Sequence, residues 1–505
     1  MKRAVCFLSL VSSLVLCVSP LTAIAQTPKP ARVVTIDVKA PPHPFPHYWE
    51  QMFGSGRATL SLRESYRDDL RAVKGITGFR YIRFHDILDD SAGLYSEDKS
   101  GNPVYNFSYV DQIYDGLLAN GVRPFVELSF MPSQLAAPPI VHQAFWYHPI
   151  VSPPKSWSRW DDLIQHFVQH LVNRYGIDEV SQWYFEVWNE PNIDFWAGNP
   201  KQATYFQLYD HTTRDIKRVS ARLRVGGPAT AQAAWVTSFI RHDIQNNVPV
   251  DFISTHVYGN DSAANVFGTT ENIPRNRMVC RAAKKVHDEV LASARPQLPV
   301  IFSEYNASYM NEPDVTDTIF MGPWLADTLR QCDGLVNMLS YWSFSDVFDE
   351  QGVIKKPFYG GFGLVAEGGV PKPSFNAFRL LHMLGTERIP VASDSVLATR
   401  HKDGSLAIAV WNYSPARSAG APKQLTLQFS GLKGYRRVTI YRLDADHGNA
   451  LPAYAAMGSP ASPTQQQYQT LKAAGRLSAP TTRKLRKGRI TLMLPAKALD
   501  MVEIR

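Results

Sequence analysis

The sequence predicts a (β/α)₈ barrel followed by a β-sandwich, and three observations carry that prediction. Eight strand-like runs alternate with amphipathic helical runs at intervals of roughly 30–50 residues. Strand after strand ends in a polar or aromatic side chain: His85, Glu127, Glu190, His256, Glu304 and Trp342. From about residue 390 the rhythm changes to short alternating strands joined by Gly, Asp and Pro turns.

The chain has 505 residues, 45% hydrophobic and 19% charged, enough for a large core and more than one domain. It opens on "MKRAVCFLSLVSSLVLCVSPLTAIA". Two basic residues, an apolar run from Val5 to Val18 and a small-x-small end are the order of a secretory signal cleaved after Ala25. The apolar run falls short of the roughly 20 residues that spanning requires. Bulky Leu16 before Cys17 argues against a lipoprotein. Residues 26–45 form a Pro-rich lead with a strand near Val33–Val38, expected to join the β-sandwich.

The barrel is expected over 46–388. Its strand runs are "HYWEQMFGSG" near 50, "FRYIRFHD", "RPFVELSF", "WYFEVWNE", "LRVGGPA", "DFISTHVY", "LPVIFSEY" and "VNMLSYWSFSD". Between them, "WDDLIQHFVQHLVNRYG" and "ATYFQLYDHTTRDIKRVSARL" repeat apolar residues at i, i+3, i+4 and i+7. The sandwich, 389–505, contains "VLATRHKDGSLAIAVWNYS", "KQLTLQFSGL", "YRRVTIYRLD" and "RKGRITLMLPAKALDMVEIR". Residues 447–475, rich in Ala, Pro and Gln, read as loop plus a short helix.

Composition excludes several functions. Removing Lys2 and Arg3 lowers the formal charge from +8 to +6, mild for this length. A nucleic-acid partner would require clustered basic residues, and the one such run, "KLRKGR" at 484–489, reads as a turn between strands. No segment after the signal is suited to a bilayer. Cys280 and Cys332 remain in the mature chain. Secretion permits a disulfide, and pairing or two free buried thiols both stay open. His166 and His170 in "HFVQH" lack the Glu of a zinc-protease helix and read as exposed polar residues. No phosphate-cradling loop or metal-ligand cluster stands out, so no cofactor is expected.

The run "WYFEVWNEPN" ends a hydrophobic strand on a carboxylate, Glu190. Glu304, in "IFSEYN", ends the seventh strand. In a barrel both face the mouth at the C-terminal rim. Two carboxyls flanking one bond are what glycoside hydrolysis requires: one holds a proton for the leaving oxygen, the other attacks the anomeric carbon or activates water. Mutual repulsion keeps one protonated and the other ionised. Asn189 can hold a sugar hydroxyl, and Trp188, Trp196 and Trp342 offer flat faces to a sugar ring. Trp183 reads as core. His256 and Tyr258 are two apart and share a face, which brings Tyr258 within reach of a carboxylate. Glu127 reads as a structural carboxylate and Arg83 as an ion-pair partner in the barrel interior. His85, beside it, reads as part of the site.

These motifs resemble a known family. "FGSGRATLSLRESYRDDL", "GFRYIRFHDILDD", "WYFEVWNEPN", "STHVYG", "FSEYN", "YWSFSDVFDE" and "GGFGL" followed by "KPSFNAF" are similar to glycoside hydrolase family 39, whose members include β-xylosidases and α-L-iduronidases. The bacterial xylosidases are the nearer match, in the same order from about residue 45 to the C-terminus. The resemblance implies that Glu190 is the acid/base and Glu304 the nucleophile. It implies that Asn189 holds the 2-hydroxyl, and that His85, Phe130, His256, Tyr258, Trp342, Asp349 and Glu350 line the sugar subsite. Where the xylosidases often carry two Glu after the eighth strand, this chain has Asp349-Glu350.

The expected activity is therefore that of a secreted or periplasmic retaining exo-1,4-β-xylosidase acting on xylo-oligosaccharides. The alternatives on this scaffold are an α-L-arabinofuranosidase, an α-L-iduronidase, an endo-acting enzyme or a transglycosylase. A non-catalytic sugar-binding protein is the alternative outside enzymes. The sequence leaves the oligomeric state open.

Overall fold

Eight parallel strands close into a barrel in the computed structural model, which describes residues 32–432 and 437–505. The strands are β1 (Met52–Arg57), β2 (Tyr81–His85), β3 (Arg123–Leu128) and β4 (Tyr184–Val187), then β5 (Arg224–Thr230), β6 (Phe252–Tyr258), β7 (Val300–Asn306) and β8 (Met338–Tyr341). Each pairs in parallel with the next, and β8 returns to β1. Helices follow in turn: α1 (Glu64–Lys74), α2 (Ser108–Ala119), α3 (Trp157–Tyr175), α4 (Lys201–Val219), α5 (Val236–Gln245), α6 (Arg275–Leu291), α7 (Met321–Cys332) and α8 (Pro373–Leu381). This is the (β/α)₈ fold that the alternation predicts.

Helix α3 shows why the periodicity was legible. Ser156 accepts the N–H of Arg159 as N-cap, and Gly176 closes the helix at φ +80°. Trp160, Leu163, Ile164, Phe167, Val168 and Leu171 form one buried stripe. On its outer side His166 is exposed, but His170 is half-buried, stacked on Phe107 at 3.8 Å and paired with Asp111 at 2.6 Å. That neighbour comes from another unit of the barrel, so spacing within the helix gave no hint of it.

A second core, of aliphatic side chains and Phe429, fills the β-sandwich. One sheet has three strands, Arg32–Asp37, Lys423–Ser430 and Arg489–Leu494. The other has seven, with Val396–Arg400, Leu406–Trp411 and Leu499–Ile504 at its centre. Arg32–Asp37 pairs in parallel with Lys423–Ser430, so the first described strand lies in the sandwich and not in the barrel. Residues 484–489 span the turn between the two sheets, with Lys487 and Gly488 both at positive φ. The segment expected as loop plus one helix holds two helices, Leu451–Ala456 and Gln465–Ala474. The second is nucleated by a capping box between Thr464 and Gln467.

Cys280 of α6 and Cys332 of α7 form a disulfide that staples adjacent barrel helices. The signal-like residues 1–25 lie outside the described residues. Among the described residues no helix is long and apolar enough to cross a membrane.

Candidate active site

At the C-terminal mouth of the barrel lies a cavity of about 340 Å³. His85, Asn189, Glu190, Tyr258, Glu304, Trp342 and Glu350 line it, joined by Phe145, Phe195 and Tyr309. Local backbone irregularity builds this mouth. After β4 the chain turns through Trp188 at φ +70° and Glu190 at φ +43°. Left-handed backbone at a residue with a Cβ costs about 1–3 kcal/mol and persists only where surrounding contacts over-determine it. Here the Glu190 N–H donates to the Ala229 carbonyl at 2.8 Å, and the Trp188 indole donates to the Phe195 carbonyl at 2.6 Å.

Strand β7 carries one more residue than either neighbour. Phe302 pairs with Thr255 and Leu339, but the next partners are Glu304 with His256 and Tyr305 with Tyr341. Such a bulge re-aims side chains, and two consecutive residues, Ser303 and Glu304, both make interior contacts. On β6, His256 and Tyr258 share a face: His256 reaches Glu190 and Tyr258 reaches Glu304.

The carboxylates meet across the cavity. An oxygen of Glu190, an oxygen of Glu304 and a ring nitrogen of His256 lie within 4.8 Å of one another. His256 Nδ1 is 2.9 Å from Glu190 Oε1 and 3.6 Å from Glu304 Oε1. Their other neighbours differ. Arg83 Nη1 donates to Glu304 Oε1 at 2.6 Å, and the Tyr258 hydroxyl donates to Glu304 Oε2. Glu190 has neither contact. Burial pushes both carboxyls up, and the negative charge of Glu304 pushes Glu190 further. At Glu304 the guanidinium and the hydroxyl oppose the rise. One proton shared by the pair therefore resides on Glu190, and Glu304 carries the charge.

Arg83 organises the floor. Fully buried, it also donates from Nε to Glu186 Oε2 at 2.6 Å, and its Nη2 lies 2.9 Å from both Asn189 Oδ1 and Glu127 Oε2. Glu127 pairs in addition with His85 and Ser129, as a structural carboxylate does. Burial presses Glu127 up, but Arg83 and His85 bring it below the ordinary glutamate range. Asn189 presents its carbonyl oxygen to Arg83, which leaves its amide N–H groups for another acceptor.

The remaining predicted residues divide. Trp342 lies across Gly54, where a Cβ would overlap its ring, and packs 4.9 Å from the His85 ring. His85 Nε2 is 3.6 Å from Glu350 Oε1, and burial together with the charges of Glu304 and Asp86 raises Glu350 well above the usual range. Phe130 does not face the cavity: it is fully buried behind the wall, edge-on to Trp188 and stacked with Phe195. Phe195 and Phe145 line the cavity instead. Asp349 also lies outside the lining, held by Arg57 at 2.9 Å. His256 sits beneath the carboxylates, and Trp183, Trp188 and Trp196 are all core.

Sequence reasoning passed over Glu186, Ser303, Phe145, Phe195 and Tyr309. Glu186 carried a readable sign, a carboxylate inside the apolar run "YFEV". Ser303 carried none, because a bulge leaves no mark in composition. The three ligand-type atoms of Glu190, His256 and Glu304 are close enough for a cation. A guanidinium 2.6 Å from Glu304 and a protonated Glu190 both oppose one there.

A closed parallel barrel with two unequal carboxyls facing one another at its C-terminal mouth is the architecture of a glycoside hydrolase. The comparisons agree. The sequence model of glycosyl hydrolases family 39 matches residues 32–491. A β-xylosidase of Geobacillus stearothermophilus is 37% identical over 477 residues, 91% of this chain and 93% of that protein. A β-xylosidase of Caldicellulosiruptor saccharolyticus is 36% identical, covering 85% and 88%. The structure of a β-xylosidase from Caulobacter crescentus superposes with a TM-score of 0.82 at 35% identity, covering 94% of this chain and all of that one. The chain belongs to glycosyl hydrolases family 39 and is a retaining O-glycoside hydrolase.

Proposed function

We propose that the enzyme is an exo-1,4-β-xylosidase that releases xylose from the non-reducing ends of xylo-oligosaccharides. The observation that carries the chemistry is the pair of carboxyls with an oxygen of each within 4.8 Å of the other, Glu304 held by Arg83 and Tyr258 and Glu190 by neither. Retaining enzymes hold the two groups about 5–5.5 Å apart, whereas inverting enzymes need about 6.5–9.5 Å for an intervening water. Glu304 attacks the anomeric carbon as Glu190 protonates the departing oxygen. A covalent glycosyl-enzyme forms. Glu190, now ionised, takes a proton from water, which displaces Glu304 and completes retention. The Asn189 amide N–H donates to the 2-hydroxyl, Trp342 stacks on the sugar, and His85 and Glu350 bind distal hydroxyls. Phe130 and Asp349 act behind these contacts.

Two features support a neutral pentose at the end of a chain. Among the described residues that line the cavity there is no lysine or arginine, and Glu350 faces it. That lining is unsuited to a uronic acid. The loops after β3 and β8 meet over one side: the Trp146 N–H donates to the Glu350 carbonyl at 2.7 Å, and Trp146 packs on Gly352. A wall on one side suits removal of terminal units.

The test compares aryl β-xylosides with aryl α-arabinosides on the wild type, Glu190→Ala and Glu304→Ala. Activity on the xyloside, its loss in Glu304→Ala, and azide rescue of Glu190→Ala are expected. Preference for the arabinoside would overturn the substrate, and internal cuts early in a xylan digest would overturn exo action. We further place the enzyme in the periplasm or outside the cell, on the signal-like residues 1–25 and the disulfide. N-terminal sequencing of the mature protein, expected to start after Ala25, checks this.

A further inference from the structure

Ser303 and Glu186 take no part in the reaction as written, yet their hydrogen bonds leave only one place for each proton. Glu186 is ion-paired with Arg83 at 2.6 Å, so its carboxylate accepts and does not donate. Ser303 Oγ lies 2.6 Å from Glu186 Oε1, and its single proton goes there. The same Oγ is 3.1 Å from His256 Nε2, toward which it can only accept. Nε2 therefore carries the imidazole hydrogen. Burial, and after it the guanidinium charge of Arg83, hold His256 neutral, so Nδ1 is a bare lone pair. Nδ1 stands 2.9 Å from Glu190 Oε1. Two acceptors do not approach that closely without a hydrogen between them, and the only group left to supply it is Glu190.

We propose that Ser303 and Glu186 are positioning residues for the acid/base: they fix the His256 tautomer, and the Nδ1 lone pair stores the proton on Glu190 in the resting enzyme. This rests on the assignment of Glu190 given above. The same lone pair works in the second half of the reaction. Once Glu190 has delivered its proton, its carboxylate faces an acceptor and not a donor, which favours taking a proton from the attacking water. Without the Ser303 hydroxyl the imidazole is free to carry its hydrogen on Nδ1, donate to the Glu190 carboxylate and stabilise the ionised acid. Glu190 is also faced by Glu304 of β7, Asp261 beyond β6, Arg83 of β2, Glu127 of β3 and Glu350 beyond β8. A change at Ser303 alters none of these.

The alkaline limb of the kcat/KM profile on an aryl β-xyloside reports the Glu190 proton. Ser303→Ala is expected to move that limb down by about one pH unit, a tenfold change in the acid constant, with the acid limb in place. Ser303→Thr, which keeps the hydroxyl, is expected to leave both limbs where the wild type has them. A folded Ser303→Ala with the wild-type alkaline limb overturns the proposal, as does a threonine variant that shifts equally far. Should either variant fail to fold, neutron diffraction from wild-type crystals decides: deuterium on Nε2 and Glu190 supports the relay, and deuterium on Nδ1 refutes it. Azide rescue of Glu190→Ala reports on the acid/base assignment alone, so the two failures are distinguishable.

Discussion

Tyr258→Phe deletes one oxygen and isolates the reason that Glu304 stays ionised. The hydroxyl donates to Glu304 Oε2, and burial beside two carboxyls keeps the phenol protonated by raising it well above its ordinary range. A hydrogen bond to a charged group contributes about 1.5–3 kcal/mol, and about 1.4 kcal/mol corresponds to one pH unit. Glu304 should therefore rise by about 1–2 units in the variant. Arg83 remains 2.6 Å from Oε1, so ionisation still occurs at higher pH. The nucleophile acts as the carboxylate. A raised value consequently moves the acid limb of kcat/KM upward by the same 1–2 units and leaves the alkaline limb alone. The profile on an aryl β-xyloside measures this directly. A folded Tyr258→Phe with an unmoved acid limb would show either that the hydroxyl does not sustain the charge or that Glu304 is not the group titrating there.

Other outcomes follow from groups away from the cavity. Cys332→Ser opens a disulfide that closes a 52-residue separation; the chain-entropy model puts the loss at about 4 kcal/mol, seen as a lower urea midpoint that reductant no longer changes. Lys372 lies fully buried, 2.7 Å from Asp317 and 3.0 Å from Asp346, and Lys372→Met strands both carboxylates at a cost of about 3–5 kcal/mol; an unchanged midpoint would count against that pairing. Asp243 is buried with no hydrogen-bond partner on either oxygen, and burial pushes it up to about 8. The folded chain then keeps a proton that the unfolded chain releases near pH 4, so stability declines as pH rises from about 4 through about 8. Asp243→Asn cannot ionise and should be more stable than the wild type at pH 8, with the gap narrowing toward pH 5; parallel Tm curves would refute the account.

Much of the barrel was legible because its strands are buried on both faces and its helices on one, so short continuous apolar runs alternate with stretches of helical period. Glu190 and Glu304 were legible for the opposite reason: an apolar strand ending on a carboxylate has no packing explanation. What stayed hidden depends on register and on depth. Phe130 and Phe195 are the same residue type, and only three-dimensional packing decides which one lines the cavity. Ser303 joins the floor because β7 carries one extra residue, and nothing in "VIFSEYN" marks it. The helix Gln465–Ala474 does carry a sign in the sequence, Thr464 with Gln467 three positions on, set in a stretch whose Ala, Pro and Gln content reads as loop.

The pairing of Arg32–Asp37 with Lys423–Ser430 makes order along the chain differ from order in space. During synthesis that strand emerges nearly four hundred residues before its partner and must wait, unpaired, while the whole barrel is made. A single cut near residue 388 cannot separate the two domains into self-sufficient halves. The barrel fragment would carry an orphan strand with open hydrogen-bonding edges, and the sandwich fragment would lack one border of its smaller sheet.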